Sequence, residues 1–155
     1  MPTHDGGIEH TAAKFAPAGQ WLEKAANGEI MLFPPQYFLL HLIEPFLRAP
    51  ASSATTPGRD ELEKQRQALR EFVQSGTPPW TEKCISPAQL TRRKDGRAVL
   101  GLEKPGLELK GTARKGEMER VVLVRNTKEG PRDVEVAWRK DVLEEEANAE
   151  AKGKL

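Results

Sequence analysis

The side chains able to hold a metal, move a proton or attack a substrate are few and scattered along this chain. His4, His10 and His41 fall on three separate stretches. With the single Cys84 they give none of the close Cys or His spacings from which a tetrahedral metal site is built, so no metal ligands are assigned. Cys84 has no local partner that would mark it as a nucleophile and reads as a small apolar residue. His41 lies inside an apolar run, where it is either a ligand or base or a partly buried histidine satisfied by a carbonyl. Glu144-Glu145-Glu146 suits a cation or a solvated helix face. Arg92, Arg93, Lys94 and Arg97 surround Asp95-Gly96, and Lys110, Arg114 and Lys115 follow. Such cations hold phosphates, or else keep a small sheet soluble and its edge protected. No aromatic platform interleaves with them of the kind single-stranded RNA needs, so no nucleic-acid partner is expected.

The elements that position these residues follow from period and punctuation. Ile8 to Phe15 alternates as a strand does. Pro17 opens a helix of about three turns with Trp21, Leu22 and Ala25 on its apolar edge, closed by Asn27-Gly28. Ile30-Met31-Leu32-Phe33 reads as a short buried strand that Pro34-Pro35 stops, because proline cannot donate to a ladder. Pro35 then presets the backbone for a helix from Tyr37 through Leu47, apolar nearly all round and so expected to be covered on most sides, with Pro45 kinking or ending it. Residues 49–58 are small, polar and proline-rich, the composition of a linker. A helix from Asp60 to about Gln74 carries Leu62, Leu69, Phe72 and Val73 on one face, and Thr77-Pro78-Pro79-Trp80 makes an extended corner.

The remainder is β-rich. Asp95-Gly96 between Ala88–Lys94 and Arg97–Glu103 is a strong hairpin signal, and residues 120–126 and 133–139 form a second pair. Val121, Leu123, Val134, Val136 and Trp138 are expected on one packed side, residues 104–119 as a mobile loop, and the acidic end as a charged helix or tail. The expected class is α+β: strand, helix, strand, helix, then a helix and a four-stranded antiparallel meander. The sequence divides at 1–48, a linker 49–58, a helix and corner 59–80, a meander 81–140 and a tail 141–155.

Composition bounds the partners. Of 155 residues 37% are hydrophobic and 30% charged, so the core is small. Lys and Arg number 24 against 23 Asp and Glu, a net charge of +1 that steers the chain toward neither nucleic acid nor an anionic membrane. One cysteine excludes an internal disulfide and fits a reducing compartment. Residues 30–47 are interrupted too often for a membrane span of about 20 apolar residues. The amino-terminal residues lack a targeting pattern, and Gly153-Lys154-Leu155 is similar to a peroxisomal Ser-Lys-Leu address with glycine for serine. The chain is expected to be intracellular, in the cytoplasm or the peroxisome.

Residues 5–43, from Asp5-Gly6-Gly7 to Leu42-Ile43, resemble the C-terminal end of a Nudix hydrolase domain, in the subgroup similar to the peroxisomal acyl-coenzyme A diphosphatase. Glu9, Trp21, Leu22, Leu32, Pro34, Pro35, Gln36 and Leu40 carry the resemblance. It implies hydrolysis of acyl-coenzyme A or nucleoside diphosphate linkages with Mg or Mn, held by glutamates of the motif Gly-x5-Glu-x7-Arg-Glu-x-x-Glu-Glu-x-Gly. That motif is absent from the chain, and only seven residues precede Ile8, where it would fall. The chain is therefore expected to be either a fragment, whose partner is a missing N-terminal Nudix segment in a longer chain, or a degenerate relative of the family, and in either case inactive alone. The resemblance makes Glu9 the candidate catalytic acid, with a sheet-surface glutamate as the alternative. It places Gln36 and Tyr37 in a nucleotide or acyl pocket, with helix capping and core packing as their alternatives. The competing reading is a small non-enzymatic module that docks a protein partner through the Tyr37–Leu47 helix.

Overall fold

Among the described residues, helices come first and last and the strands lie between them. The computed structural model describes residues 14–47, 57–104 and 106–152. Three helices come first, α1 (Ala18–Ala26), α2 (Pro34–Leu47) and α3 (Arg59–Val73), followed by a 3-10 turn at Trp80–Glu82. Strands β1 (Ala88–Arg92), β2 (Ala98–Leu102), β3 (Glu117–Thr127) and β4 (Gly130–Trp138) then lead into α4 (Arg139–Lys152). The strands form an antiparallel meander in sequence order, so the protein is α+β. Glu9, His4 and His10, most of the strand expected at Ile8–Phe15, the linker to residue 56 and the Gly153–Leu155 ending lie outside the described residues.

Proline stands at the start of the first two helices, and glycine ends the first. Pro17 offers its carbonyl to the amides of Gln20 and Trp21, and its own missing N–H costs nothing there. At the other end Gly28, at φ +74, lets its amide reach Ala25 O (3.1 Å) while Glu29 N–H reaches Lys24 O (2.9 Å).

The short strand expected at Ile30–Phe33 does not form. The four strands of the meander pair with one another, and among the described residues none offers this segment a ladder. It runs irregularly past the edge of the sheet, Ile30 and Leu32 turned toward β4 and Phe33 58% exposed. Met31 packs on Gly130, where a Cβ would collide with its sulfur. Both prolines are instead the first two residues of α2. Phe33 caps the helix, and its amide donates to Gln36 Oε1 at 3.0 Å, one half of a capping box. Pro-Pro-Gln is thus a helix start in which two residues need no hydrogen bond and the third supplies one. We predict that Gln36→Ala lowers stability by about 0.5–1.5 kcal/mol in urea unfolding while Gln36→Glu, which keeps the acceptor, is neutral.

Helix α2 runs through Pro45 to Leu47, and its burial is narrower than its composition suggests. Phe38 and Leu42 are buried, whereas Leu39 is 56% exposed, because α2 sets one face on the sheet and Trp80, with α1 and α3 the helices beside it among the described residues. In α3 the acids Asp60 and Glu61 open the helix and Arg70 closes it, each at the end where the macrodipole favours it. Its Phe72 stacks on Trp80 (5.4 Å between rings) and meets Phe46 (4.9 Å). The expected extended corner is a tight turn instead, with a cis Thr77–Pro78 peptide and Trp80 N–H returned to Ser75 O.

The sheet is covered on both faces, which corrects the single packed side expected from sequence. Leu102, Leu100, Val122, Val134 and Val136 face α2, with Phe38, Leu42, Phe72 and Trp80. Val99, Val121 and Leu123 point the other way, under Val142 of α4. A bulge is responsible. Near the turn Thr127 pairs with Gly130 and Arg125 with Arg132, but beyond the irregularity Leu123 pairs with Glu135 and Val122 with Val136. β4 contributes the extra residue at Asp133–Val134, and Asp133 takes a left-handed φ of 50°, which aspartate tolerates. Had the register set at the turn continued, Leu123 would face Val134. The one-residue slip moves β4 onto the opposite face. Trp138, also assigned to the packed side, is half exposed at the strand end.

Of residues 104–119, expected as a mobile loop, 117–119 belong to β3; before them come a 3-10 turn at Leu107–Leu109 and backbone hydrogen bonds from Cys84 N–H to Lys115 O and from Gly116 N–H to Glu103 O. The acidic run near the carboxyl end is a charged helix as expected. Glu145 and Glu146 both meet Arg93 of the β1–β2 hairpin (2.8 and 3.1 Å), so they fasten α4 to the sheet.

Candidate substrate cleft

Tyr37, the second residue of the Gln36-Tyr37 pair, is delivered by the Pro-Pro corner into the wall of a cleft of about 220 Å³. The end of α1 (Ala25, Ala26) and the turned-in Ile30 and Leu32 continue that wall, while Pro131 and Val134 of β4 face it. Gln36 itself works as the helix cap and does not line the cleft. The structure therefore separates the two residues that sequence placed together. Partial burial and then the charge of Glu135 raise the Tyr37 pKa, so its phenol stays protonated and can donate a hydrogen bond at neutral pH.

The opposite rim is charged and held in place. Arg97 donates from Nη1 to Glu135 (2.6 Å) and from Nε to Asp95 (2.8 Å). Its backbone N–H also bonds Asp95 (2.9 Å), and this bond followed by the guanidinium lowers the Asp95 pKa. Arg125 joins Asp133 (2.7 Å) and the carbonyl of Asp95 (2.8 Å), which ties the β1–β2 turn to the bulge. Arg132 is held more loosely, 3.8 Å from Glu129 and beyond hydrogen-bond reach. The cleft thus has an apolar wall with one phenol, and a rim on which Arg97 is locked and Arg132 can turn to a ligand.

His41 does not join this cleft. It lies further along α2, where partial burial first and the charge of Arg120 second lower its pKa, Glu44 acting in the opposite sense. Cys84 is half-buried and free. Among the described residues no three His, Cys, Asp or Glu side chains converge to hold a cation, so the Mg or Mn implied by the resemblance finds no donor set here. No helix among them is long and apolar enough to cross a membrane.

Sequence reading missed a second cluster. Glu117, 1% exposed, accepts from Lys83 Nζ, from Arg120 Nη1 (3.2 Å) and from the amide of Glu119 (3.2 Å). Lys83 also lies over the ring of Trp80, 3.8 Å from its centroid. The local signals were Trp80-x-x-Lys83 on a tight turn and Glu117-x-x-Arg120 at a strand start.

Fold and cleft define a small α+β protein with a cleft that is apolar on one side and lined by paired charges on the other. Comparison with protein-family models, with curated proteins and with solved structures returns no match.

Proposed function

We propose that this chain supplies one wall of the substrate site of a Nudix-like hydrolase acting on acyl-coenzyme A or nucleoside diphosphate linkages. The Mg- or Mn-binding glutamates come from another segment, and this chain alone does not catalyse. The observation that carries the reading is the placement of Tyr37: the Pro-Pro-Gln step that carries the resemblance also starts the helix turn from which Tyr37 lines a cleft shared with Arg97 and Arg132. An apolar wall suits an acyl chain or ring, and Arg132, held only loosely at 3.8 Å from Glu129, suits an attached phosphate. At about 220 Å³ the cleft is smaller than the ~300–1,000 Å³ of a typical ligand pocket, which fits a site completed from elsewhere. The intracellular setting, cytoplasmic or peroxisomal, belongs to the same proposal, as does Glu9 as the one carried-over acid.

Incubation with an acyl-coenzyme A and Mg²⁺ is expected to leave the substrate intact while the compound still binds, and Tyr37→Ala and Arg132→Gln are each expected to weaken that binding about three- to tenfold. Cleavage that disappears in Glu9→Gln would overturn the reading. A second reading, a protein-docking module, is favoured by one observation, the exposure of Phe33, Leu39 and Leu47 on or beside α2. Leu39→Asp separates the two, since it disables docking and leaves the cleft untouched.

A further inference from the structure

On the side of α3 and the Trp80 turn lies a larger cleft, of about 440 Å³, and we infer that it binds the phosphate group of a small organic phosphate monoester. Its floor is aromatic, Phe72 stacked on Trp80, and its cations are Lys83, Arg120 and Lys115. The charges do not balance. Glu117 accepts from both Lys83 and Arg120, so one buried carboxylate serves two cations and a positive charge is left over where the dielectric is low. At the mouth the exposed Lys115 and Glu119 cancel.

Lys83 and Arg120 are also pre-positioned. Lys83 is 10% exposed and sits on Trp80, while Arg120 spans two indoles, 6.0 Å from the Trp80 ring and 4.4 Å from that of Trp138. Each spends one N–H on Glu117 in the bonds described above, which leaves further donors on both for an oxyanion. The space exceeds what a bare phosphate fills, and the apolar surface of Phe72, Trp80 and Met118 would meet an organic substituent. This site shares no lining residue with the Tyr37 cleft and does not rest on the Nudix-like reading.

The test titrates the full chain with phenyl phosphate, inorganic phosphate and benzyl alcohol, following the Trp80 indole N–H by NMR. Phenyl phosphate is expected to saturate the shift and to bind at least about threefold tighter than inorganic phosphate, since its ring removes apolar surface from water. Lys115→Gln, an exposed change that leaves the core intact, is expected to weaken it about two- to fivefold, and Glu119→Gln to tighten it by a similar factor. Arg120→Gln, checked for folding by thermal melting, is expected to weaken it more than either. Equal binding of inorganic phosphate would overturn the monoester assignment. Saturation by benzyl alcohol alone, no saturable shift with either phosphate, or affinities indifferent to both Lys115→Gln and Glu119→Gln would overturn the site.

Discussion

Glu117→Leu is expected to destabilise the protein by about 3–5 kcal/mol, one of the two largest losses we anticipate, because it strands two cations in place. Lys83 is 10% exposed and its ammonium is held by the Glu117 carboxylate and the face of Trp80. With the carboxylate gone, the indole face is worth on the order of 2 kcal/mol, which falls short of the cost of desolvating an ammonium. Arg120 is affected less, since it is 22% exposed and also stacks on Trp138. The double variant Lys83→Met/Glu117→Leu is therefore expected to recover much of the loss, because matched apolar replacements remove both the charge and its need for a partner. Chemical denaturation of the two singles and the double measures the coupling. A Glu117→Leu loss below about 1 kcal/mol would mean that the pair is solvated and contributes no more than a surface ion pair.

Phe38→Ala is the second large effect, about 3–5 kcal/mol. Phe38 is 1% exposed and fills the centre of the cluster shared by Leu42 of α2, Leu102 of β2 and Val122 of β3, with its ring 6.1 Å from that of Trp80. Removing it leaves a cavity between the early helices and the later sheet, two regions separated in sequence by the proline-rich stretch 49–58. Because both sides line the cavity, the loss is expected to lower a single cooperative transition seen by tryptophan fluorescence and far-ultraviolet circular dichroism alike. If the helical signal alone melted early and the sheet kept its midpoint, the two regions would have separate cores.

Local chemistry was legible and partner-dependent structure was not. Pro17, Gly28, Asp95-Gly96 and the charge order of α3 act within a few residues, so the elements they start, end or turn appear where the sequence puts them. Ile30–Phe33 has the residues of a strand, but a strand exists only beside another, and that partner is not written in the segment. The split of Val121 and Leu123 from Val134 and Val136 turns on one bulge, hinted at only by an aspartate within an otherwise β-rich run. Tyr37 was singled out because the Pro-Pro-Gln step carries a family resemblance, and the structure shows it lining a cleft. Gln36 was found as well, but of the roles open to it the structure shows the cap. The Lys83–Glu117–Arg120 cluster escaped because Lys83 and Glu117 are 34 residues apart and meet only once the 104–116 segment folds back.

We propose that the Tyr37 cleft receives the organic portion of a diphosphate-linked ligand. The most direct test is a titration of the isotopically labelled chain with an acyl-coenzyme A, read by amide NMR. The account predicts saturable shifts centred on Leu32, Tyr37 and Val134, reduced in Tyr37→Ala and in Arg132→Gln. Shifts confined to other parts of the molecule, or none at concentrations well above those of a working substrate site, would contradict it.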